Sequence, residues 1–177
     1  MGFSFMKTTL EIQGTIIFDP RDLSNKHQKQ TSWKRVAMVV LDGGTDLTSY
    51  YAWFIFKRYG LKLNKTIRGA HISFVNDHIK DIDGSNQQEK QQLWESVKAK
   101  YHKKRISVVI NLDARTNGEH WWFKIPEEDR VELHGIREEL GLGRPFFGLH
   151  MTIGHPNEIY LVHAQYIHDL LRNSFTD

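Results

Sequence analysis

Two short segments of the chain repeat the same order of residue types. Residues 69–74 read GAHISF and residues 148–153 read GLHMTI, so each runs glycine, apolar, histidine, apolar, hydroxyl, apolar. Because successive side chains of a strand point to opposite faces, each histidine would share a face with its hydroxyl residue. Each segment therefore predicts a strand with an apolar face for the core and an imidazole–hydroxyl pair on the other face. The four polar residues are His71 and Ser73 in the first segment, and His150 and Thr152 in the second.

Two imidazole–hydroxyl pairs suit chemistry at a phosphodiester. Such a reaction needs a base for the nucleophile, an acid for the leaving oxygen and donors for the non-bridging oxygens. Histidine, with an unperturbed pKa of about 6.5, supplies base and acid near neutrality, and the two hydroxyls would donate to the phosphate. A 2′-hydroxyl that attacks the adjacent phosphorus would form a 2′,3′-cyclic phosphate, which water then opens, and this scheme requires no metal ion. Either histidine alone would more simply be an isolated strand residue; the matched pair predicts a catalytic site.

The repeat extends upstream of each motif. Residues 50–59 and 129–140 each read as a helix, and a Gly-Leu pair that would end the helix follows each of them. From that glycine to the glycine of the motif there are nine residues in the first copy and seven in the second. The chain therefore predicts a duplicated helix–loop–strand unit whose two loops differ in length.

Two His-x-Ser/Thr motifs on duplicated units strongly resemble the 2H phosphoesterases, a superfamily named for its two histidines. The resemblance covers roughly residues 8–171. Chain length, motif positions and residues 116–122, TNGEHWW, are most similar to the branch in tailed phages that cleaves cyclic oligonucleotides, the anti-CBASS phosphodiesterases. The resemblance implies metal-independent hydrolysis of the 3′–5′ bonds of cyclic di- or trinucleotide second messengers, without a cofactor, which would defeat bacterial CBASS immunity. It also implies that the two histidines and two hydroxyl residues are catalytic.

The fold class predicted from the patterns is α+β with largely antiparallel sheets, because strands neighbour helices without a regular βαβ rhythm. We expect one domain over residues 1–177, with a joint between two halves near residues 81–92. The duplication predicts, and the family resemblance implies, two lobes that face each other across a central cleft, with the helices outside. Residues 117–118, Asn-Gly, predict a hairpin between the strands on either side.

The helix upstream of the first motif is predicted over residues 46–59. Thr45 or Asp46 is the expected N-cap, because short oxygen-bearing side chains satisfy the free amides of the first turn. Its large apolar side chains are expected in the core. These are Trp53, Phe54 and Phe56.

Three residues outside the motifs are predicted to bind substrate. Trp122 would share a strand face with Lys124, a combination suited to a stacked base with a cation near phosphate, although burial of Trp122 elsewhere explains it equally well. Trp121, on the other face, is expected in the core. Arg68 precedes the first histidine by three residues and Arg144 precedes the second by six, so either could clamp phosphate; Arg68 is the preferred candidate.

The sequence offers two alternatives, a metal site and a catalytic carboxylate. His150 with His155 and Glu158 raises a metal site, but the spacing of the two histidines fits neither strand alternation nor helical i, i+4 pairing, so we predict no metal site. Asp113 is a candidate catalytic carboxylate, or more simply a turn-forming residue before Asn117.

Composition excludes several classes of protein. The chain is 40% apolar and 25% charged, has no cysteine and has no apolar run long enough to span a membrane, so we expect a cytoplasmic protein, in the host cytoplasm if it is phage-encoded. A net charge of +3 is too small for a protein that binds nucleic acid non-specifically along its length. No stable nucleic-acid partner is predicted. Basic residues cluster at positions 98–105, either as cations at a helix C-terminus or as an attractant for a polyanion. Oligomeric state cannot be read from these patterns.

Three functions remain open on the sequence. The leading hypothesis is a phosphodiesterase that linearises a cyclic oligonucleotide. The alternatives are an RNA-processing or repair enzyme that acts on 2′,3′-cyclic phosphates or ligates ends, and a non-catalytic protein that sequesters a cyclic nucleotide. Retention of both complete motifs disfavours sequestration, because binding alone needs no acid–base pair.

Overall fold

The computed structural model describes residues 8–20, 35–66, 68–76, 87–145, 148–157 and 160–173. Within these residues the chain forms seven β-strands, four α-helices and one 3-10 turn. In chain order they are β1 (Thr9–Phe18), β2 (Ala37–Leu41), α1 (Gly44–Tyr59), β3 (Leu63–Asn64), β4 (His71–Val75), α2 (Gln87–Tyr101), β5 (Arg105–Thr116), β6 (Trp121–Lys124), the 3-10 turn (Glu127–Arg130), α3 (Val131–Glu139), β7 (His150–Pro156) and α4 (Leu161–Asn173).

All seven strands belong to one antiparallel sheet. Their order is β3-β7-β4-β2-β1-β5-β6, and β6 also pairs with β7. The extra pairing closes six of the described strands into a barrel and leaves β3 at the edge of β7. The prediction of an α+β fold with antiparallel strands is therefore confirmed. The expected joint at residues 81–92 falls partly outside the described residues, and its described part, from Gln87 onward, belongs to α2.

Helices cover the apolar face of this sheet. Tyr51 of α1 meets Phe123 of β6 edge-to-face at a ring-centroid distance of 4.6 Å, and Trp94 of α2 meets Phe18 of β1 at 5.0 Å. Helix α3 is tied to β4 by the buried Arg137, whose Nη1 donates to the carbonyl oxygen of Phe74 at 2.5 Å. Edge-to-face rings and the removal of apolar area from water stabilise this layer. The opposite face carries His71 and Ser73 on β4, with the apolar Val40 and Met38 of β2 beside them.

The predicted core residues of α1 are wrong. Trp53, Phe54 and Phe56 are 54%, 38% and 45% exposed, whereas Ile55 between them is buried. The helix buries one stripe at three- and four-residue spacing, and the three aromatic side chains lie off that stripe. The stripe consists of Gly44, Leu47, Thr48, Tyr51, Ala52, Ile55 and Tyr59.

The predicted cap of α1 is also wrong. The N-cap is Gly43, with φ 63°, and no side chain caps the helix, so Thr45 and Asp46 lie inside the first turn. At the other end Gly60, with φ 67°, donates its amide to Phe56, as a left-handed C-terminal glycine does. Gly141 has φ 69° after α3, so the predicted glycine stop is confirmed in both copies of the unit.

The predicted hairpin at Asn117 and Gly118 is confirmed. Strands β5 and β6 pair on either side of it, Gly118 adopts φ 88°, and the Oδ1 of Asn117 accepts from the amides of Glu119 and His120. Strand β5 carries extra residues opposite β6, because its register shifts between Asn111 and Arg115. Among the described helices, none is long and apolar enough to cross a membrane.

Candidate active site

The two motifs lie side by side on neighbouring strands of the sheet. Strands β4 and β7 pair antiparallel with Ile72 opposite Met151, and these two residues hold the same position in the two motifs. A pair of equivalent residues in antiparallel register lies on a local two-fold axis. Continuing that register places His71 toward Thr152 and Ser73 toward His150. At this pair the two motif strands therefore run antiparallel with equivalent residues opposite each other.

The predicted alternation of each motif strand is confirmed. Ile72, Phe74, Met151 and Ile153 are at most 2% exposed, under the helices. The histidines and hydroxyl residues of both motifs are half-buried on the opposite face. A half-buried polar face leaves these groups open to a ligand while the low-polarity layer behind them strengthens their electrostatic interactions.

Each histidine is held by the glycine two residues before it. The Nδ1 of His71 lies 2.9 Å from the carbonyl oxygen of Gly69, and the Nδ1 of His150 lies 3.2 Å from that of Gly148. A carbonyl oxygen only accepts, so Nδ1 donates in both bonds and carries the proton of the neutral ring. The unprotonated Nε2 of each imidazole is then left for chemistry.

Both motif glycines are in the left-handed region that favours glycine. Gly69 has φ 67° and Gly148 has φ 66°. A side chain there would strain the backbone, and at Gly69 an added Cβ would also approach the Thr45 Oγ1 to 3.1 Å. The first residue of each motif is therefore glycine because this turn aims its carbonyl at the histidine ring.

Burial is the main cause that lowers the pKa of both histidines below the ordinary value of 6.5. The hydrogen bond to the glycine carbonyl opposes this shift in each case. Nearby positive groups add to it: Arg68 and His150 lower the pKa of His71, and His120 and Arg130 lower the pKa of His150. Both rings are thus biased toward the neutral form, and each is sensitive to charge around it.

Strand β6 extends the site beyond the second motif. Lys124 pairs with His150 and Trp122 pairs with Thr152. The Trp122 ring is half-buried and meets the His150 ring at a centroid distance of 6.3 Å and an interplanar angle of 63°. Trp121, on the other face, is 2% exposed and belongs to the core, as predicted.

Two arginines flank the pair of histidines. Arg68 is half-buried beside His71, and its Nε is buried with no hydrogen-bond partner among the described residues. Arg130 lies beside His150: its Nε donates to the Ile125 carbonyl at 2.6 Å and its Nη1 to Glu127 Oε1 at 2.7 Å. Sequence reasoning missed Arg130, since it stands 20 residues before the motif histidine, on a turn. The one signal for it in the sequence is its position at the end of the charged segment 127–130, EEDR.

The other candidates are placed apart from this pair. Arg144 is exposed, and its charge lowers the pKa of His134. It is not among the groups that shift the pKa of either motif histidine. Asp113 is exposed within β5, where it pairs with Arg115 at 3.7 Å, so it is not the turn residue that the sequence suggested.

For the metal alternative, His155 is exposed and Glu158 lies outside the described residues. Within the described ranges no three His, Asp, Glu or Cys side chains gather as a metal site would need.

The basic cluster at residues 98–105 is largely matched by acids. Lys98 pairs with Asp19 at 2.9 Å, Lys100 pairs with Glu139 at 2.8 Å, and Arg105 pairs with Asp42. These pairs favour the reading of the cluster as cations that fasten the end of α2 and the start of β5.

A cavity of about 750 Å³ opens on the His150 side of the site. Its walls come from β1, β5, β6, the 3-10 turn and the start of β7. Its polar lining includes Asn111, Trp122, Lys124, Arg130 and His150, together with the carboxylates of Glu127, Glu128 and Asp129 on the 3-10 turn. The volume lies in the range of small-molecule sites, and aromatic, cationic and imidazole groups converge on it.

No family model, curated protein sequence or solved structure matches the chain. Its function is therefore inferred from the site itself.

Proposed function

We propose that the protein is a metal-independent phosphodiesterase of the 2H type that cleaves a cyclic oligonucleotide. The observation that carries the proposal is the pair of equivalent histidines on adjacent strands. In each, Nδ1 is held by a glycine carbonyl and Nε2 is left free. Structural histidines have no need of matched tautomers, matched glycine turns and a shared face. A reaction with one proton to remove and one to deliver uses two such imidazoles on one face.

The proposed reaction divides the two proton transfers between the histidines. The Nε2 of one neutral imidazole takes the proton of a ribose 2′-hydroxyl, whose oxygen attacks the adjacent phosphorus. The other imidazole, protonated, gives its Nε2 proton to the 5′-oxygen that leaves. The product is a linear chain with a 2′,3′-cyclic phosphate, which water opens with the two roles exchanged. Ser73 and Thr152 donate to the non-bridging oxygens, where negative charge develops, and Arg68 adds positive charge.

The two halves of the site would correspond to the two lobes of the 2H fold. The local two-fold through Ile72 and Met151 supports that relation. The substrate class is supported by the cavity beside His150, which exceeds the volume of one nucleoside and adds an aromatic wall at Trp122. Together with the sequence resemblance, these features favour a cyclic di- or trinucleotide of a bacterial anti-phage system over a mononucleotide.

One assay tests this function directly. The protein is incubated in EDTA with cyclic dinucleotides, cyclic trinucleotides and a 2′,3′-cyclic mononucleotide, and products are separated by chromatography. We expect linear products from the cyclic oligonucleotides at an undiminished rate, since the scheme uses no metal ion. Activity confined to the cyclic mononucleotide would indicate an RNA-repair type of enzyme, and binding without turnover would indicate sequestration. Loss of activity in EDTA that added zinc or manganese restores would contradict the acid–base scheme.

Trp122→Ala should weaken substrate binding more than turnover. If a base stacks on this ring, KM should rise by an amount equivalent to about 1–3 kcal/mol, with a smaller fall in kcat. Steady-state kinetics on a cyclic dinucleotide measures both. Trp53→Ala is the matched control, because Trp53 is 54% exposed on α1 and should leave KM unchanged. An unchanged KM with a lower Tm would instead assign Trp122 to the core.

The pH–rate profile should be bell-shaped with its maximum below pH 6.5. One histidine must be neutral and the other protonated, and burial lowers the pKa of both below 6.5. Activity is therefore lost at higher pH, where the acid gives up its proton, and at low pH, where the base becomes protonated. Measurement of kcat/KM from about pH 4 to pH 9, with circular dichroism at each pH to confirm folding, checks the shape. A rate that keeps rising above neutrality would contradict the assignment of a histidine as acid.

A further inference from the structure

A row of polar side chains crosses four strands of the sheet from the second motif. His150 pairs with Lys124, Lys124 with Asn111, and Asn111 with Thr9, so the row runs over β7, β6, β5 and β1. Directly opposite side chains in an antiparallel pair lie roughly 4.5–5.5 Å apart, so Asn111 stands about 10 Å from His150. All four residues line the cavity beside His150. A distance of about 10 Å from Asn111 to His150 is comparable to the distance within a nucleotide from its phosphate to the far edge of its base.

The amide of Asn111 has a fixed orientation. Its Oδ1 lies 2.9 Å from the backbone nitrogen of Asp113, within the bulge of β5. A backbone N–H only donates, so the atom that faces it is the oxygen, and the amide Nδ2 is turned away with its two N–H donors. Lys124, between Asn111 and His150, also offers only donors. The row next to the histidine therefore presents mainly donors to the base, while the acceptors of the cavity, Glu127, Glu128 and Asp129, lie on the 3-10 turn.

We propose that this row reads guanine in the substrate nucleotide that occupies the His150 side, an inference that rests on the proposed phosphodiester function. Guanine carries two adjacent acceptors, O6 and N7, on one edge, whereas adenine carries an amino group at position 6. Asn111 Nδ2 donates to O6, and Lys124 lies between this contact and the phosphate at His150. With adenine, the hydrogens of its 6-amino group would face these N–H donors, so no hydrogen bond could form there. Trp122, on the same wall, stacks on the face of the base and adds affinity without selecting it.

The usual asparagine contact with adenine is disfavoured by the same geometry. That contact needs the amide oxygen and nitrogen together, one to accept from the amino group and one to donate to N7. In this site the oxygen already accepts from the backbone N–H of Asp113, which turns it toward that backbone and leaves one of its two lone pairs. The bulge in β5 thus favours the two N–H donors of Nδ2 as the groups that Asn111 presents to a base.

The test compares cyclic di-GMP, cyclic di-IMP and cyclic di-AMP as substrates. Inosine keeps O6 and N7 but lacks the 2-amino group, so it isolates the edge that Asn111 would read. We expect kcat/KM for the guanine and inosine compounds to exceed that for the adenine compound by about tenfold or more. Asn111→Asp is isosteric and keeps the bond to Asp113, but it presents an acceptor. In this variant the guanine-to-adenine ratio should fall by at least about tenfold.

Ser107→Ala is the matched control, because Ser107 lies on the same face of β5, bonds to Glu11 and does not line the cavity. Its substrate ratio should equal that of the wild type. A wild-type preference for adenine, or an unchanged ratio in Asn111→Asp, overturns the base assignment while the proposed function stands. If the wild type cleaves neither these three compounds nor the cyclic trinucleotides of the first assay, the proposed function fails. Titration of tryptophan fluorescence with 2′-deoxy cyclic di-GMP and 2′-deoxy cyclic di-AMP then tests the base assignment alone: tighter binding of the guanine compound supports it, and equal or weaker binding overturns it.

Discussion

Replacing His71 with alanine is expected to lower kcat on a cyclic dinucleotide at least about 10²-fold, and His150→Ala should do the same. Each substitution removes one of two proton transfers in a single step, because only the Nε2 of each ring is free to exchange protons with substrate. KM should change much less. The double variant should be worse than either single variant by less than the product of their effects, since both act on one step.

His155→Ala is the matched control for these variants. His155 lies on the same strand as His150 but is exposed and holds its Nδ1 3.4 Å from the Pro156 carbonyl. Its removal should leave kcat near that of the wild type, and a large loss would revive the metal alternative. Near-normal turnover in His71→Ala or His150→Ala would remove that histidine from the mechanism.

A cyclic dinucleotide with 2′-deoxy sugars is expected to bind but to resist cleavage. The proposed nucleophile is the 2′-hydroxyl, so its absence removes the reacting oxygen while the base, phosphate and ring remain. For the ribose compound, an intermediate that ends in a 2′,3′-cyclic phosphate should appear before the final linear product. Mass spectrometry of timed samples distinguishes the two, because the cyclic phosphate lacks the mass of one water.

Binding of the deoxy compound is the necessary control, measured as competitive inhibition of ribose cleavage. An inhibitor that is not itself cleaved supports the sugar hydroxyl as nucleophile. Cleavage at a comparable rate would instead require water to attack phosphorus directly. That result would contradict either histidine as base for a sugar hydroxyl, while their pairing across β4 and β7 would remain.

Local patterns in the sequence determined the chemistry-bearing strands. Alternation with period two placed His71 and Ser73 on one face and the apolar residues on the other, and the structure has that arrangement in both motifs. This succeeds because the pleat of a strand alternates side chains whatever the strand pairs with. The glycine stops and the Asn-Gly hairpin were also predictable from local sequence. Glycine adopts positive φ without a steric cost, wherever the segment packs.

The buried side of α1 could not be read from its residues. Aromatic or aliphatic side chains occupy so many positions between Tyr50 and Phe56 that several stripes are equally apolar. Which one is buried depends on the strands beneath: the helix buries Ile55 and packs Tyr51 on Phe123 of β6, while Trp53 faces outward. A helix has no single apolar stripe in such a segment until its partner selects one.

Only the tertiary structure brought distant residues to the two histidines. Closure of β6 onto β7 sets Lys124 and Trp122 beside the second motif, and the turn after β6 carries Arg130 to the same ring. The bulge of β5 that orients Asn111 has no signature in its residues. Sequence thus determined which groups could react and on which strand face each lies, because those are local properties. Strand register, closure of the barrel and the paths of the loops decided which of these groups lie together. Those three features depend on pairing between segments far apart in the chain.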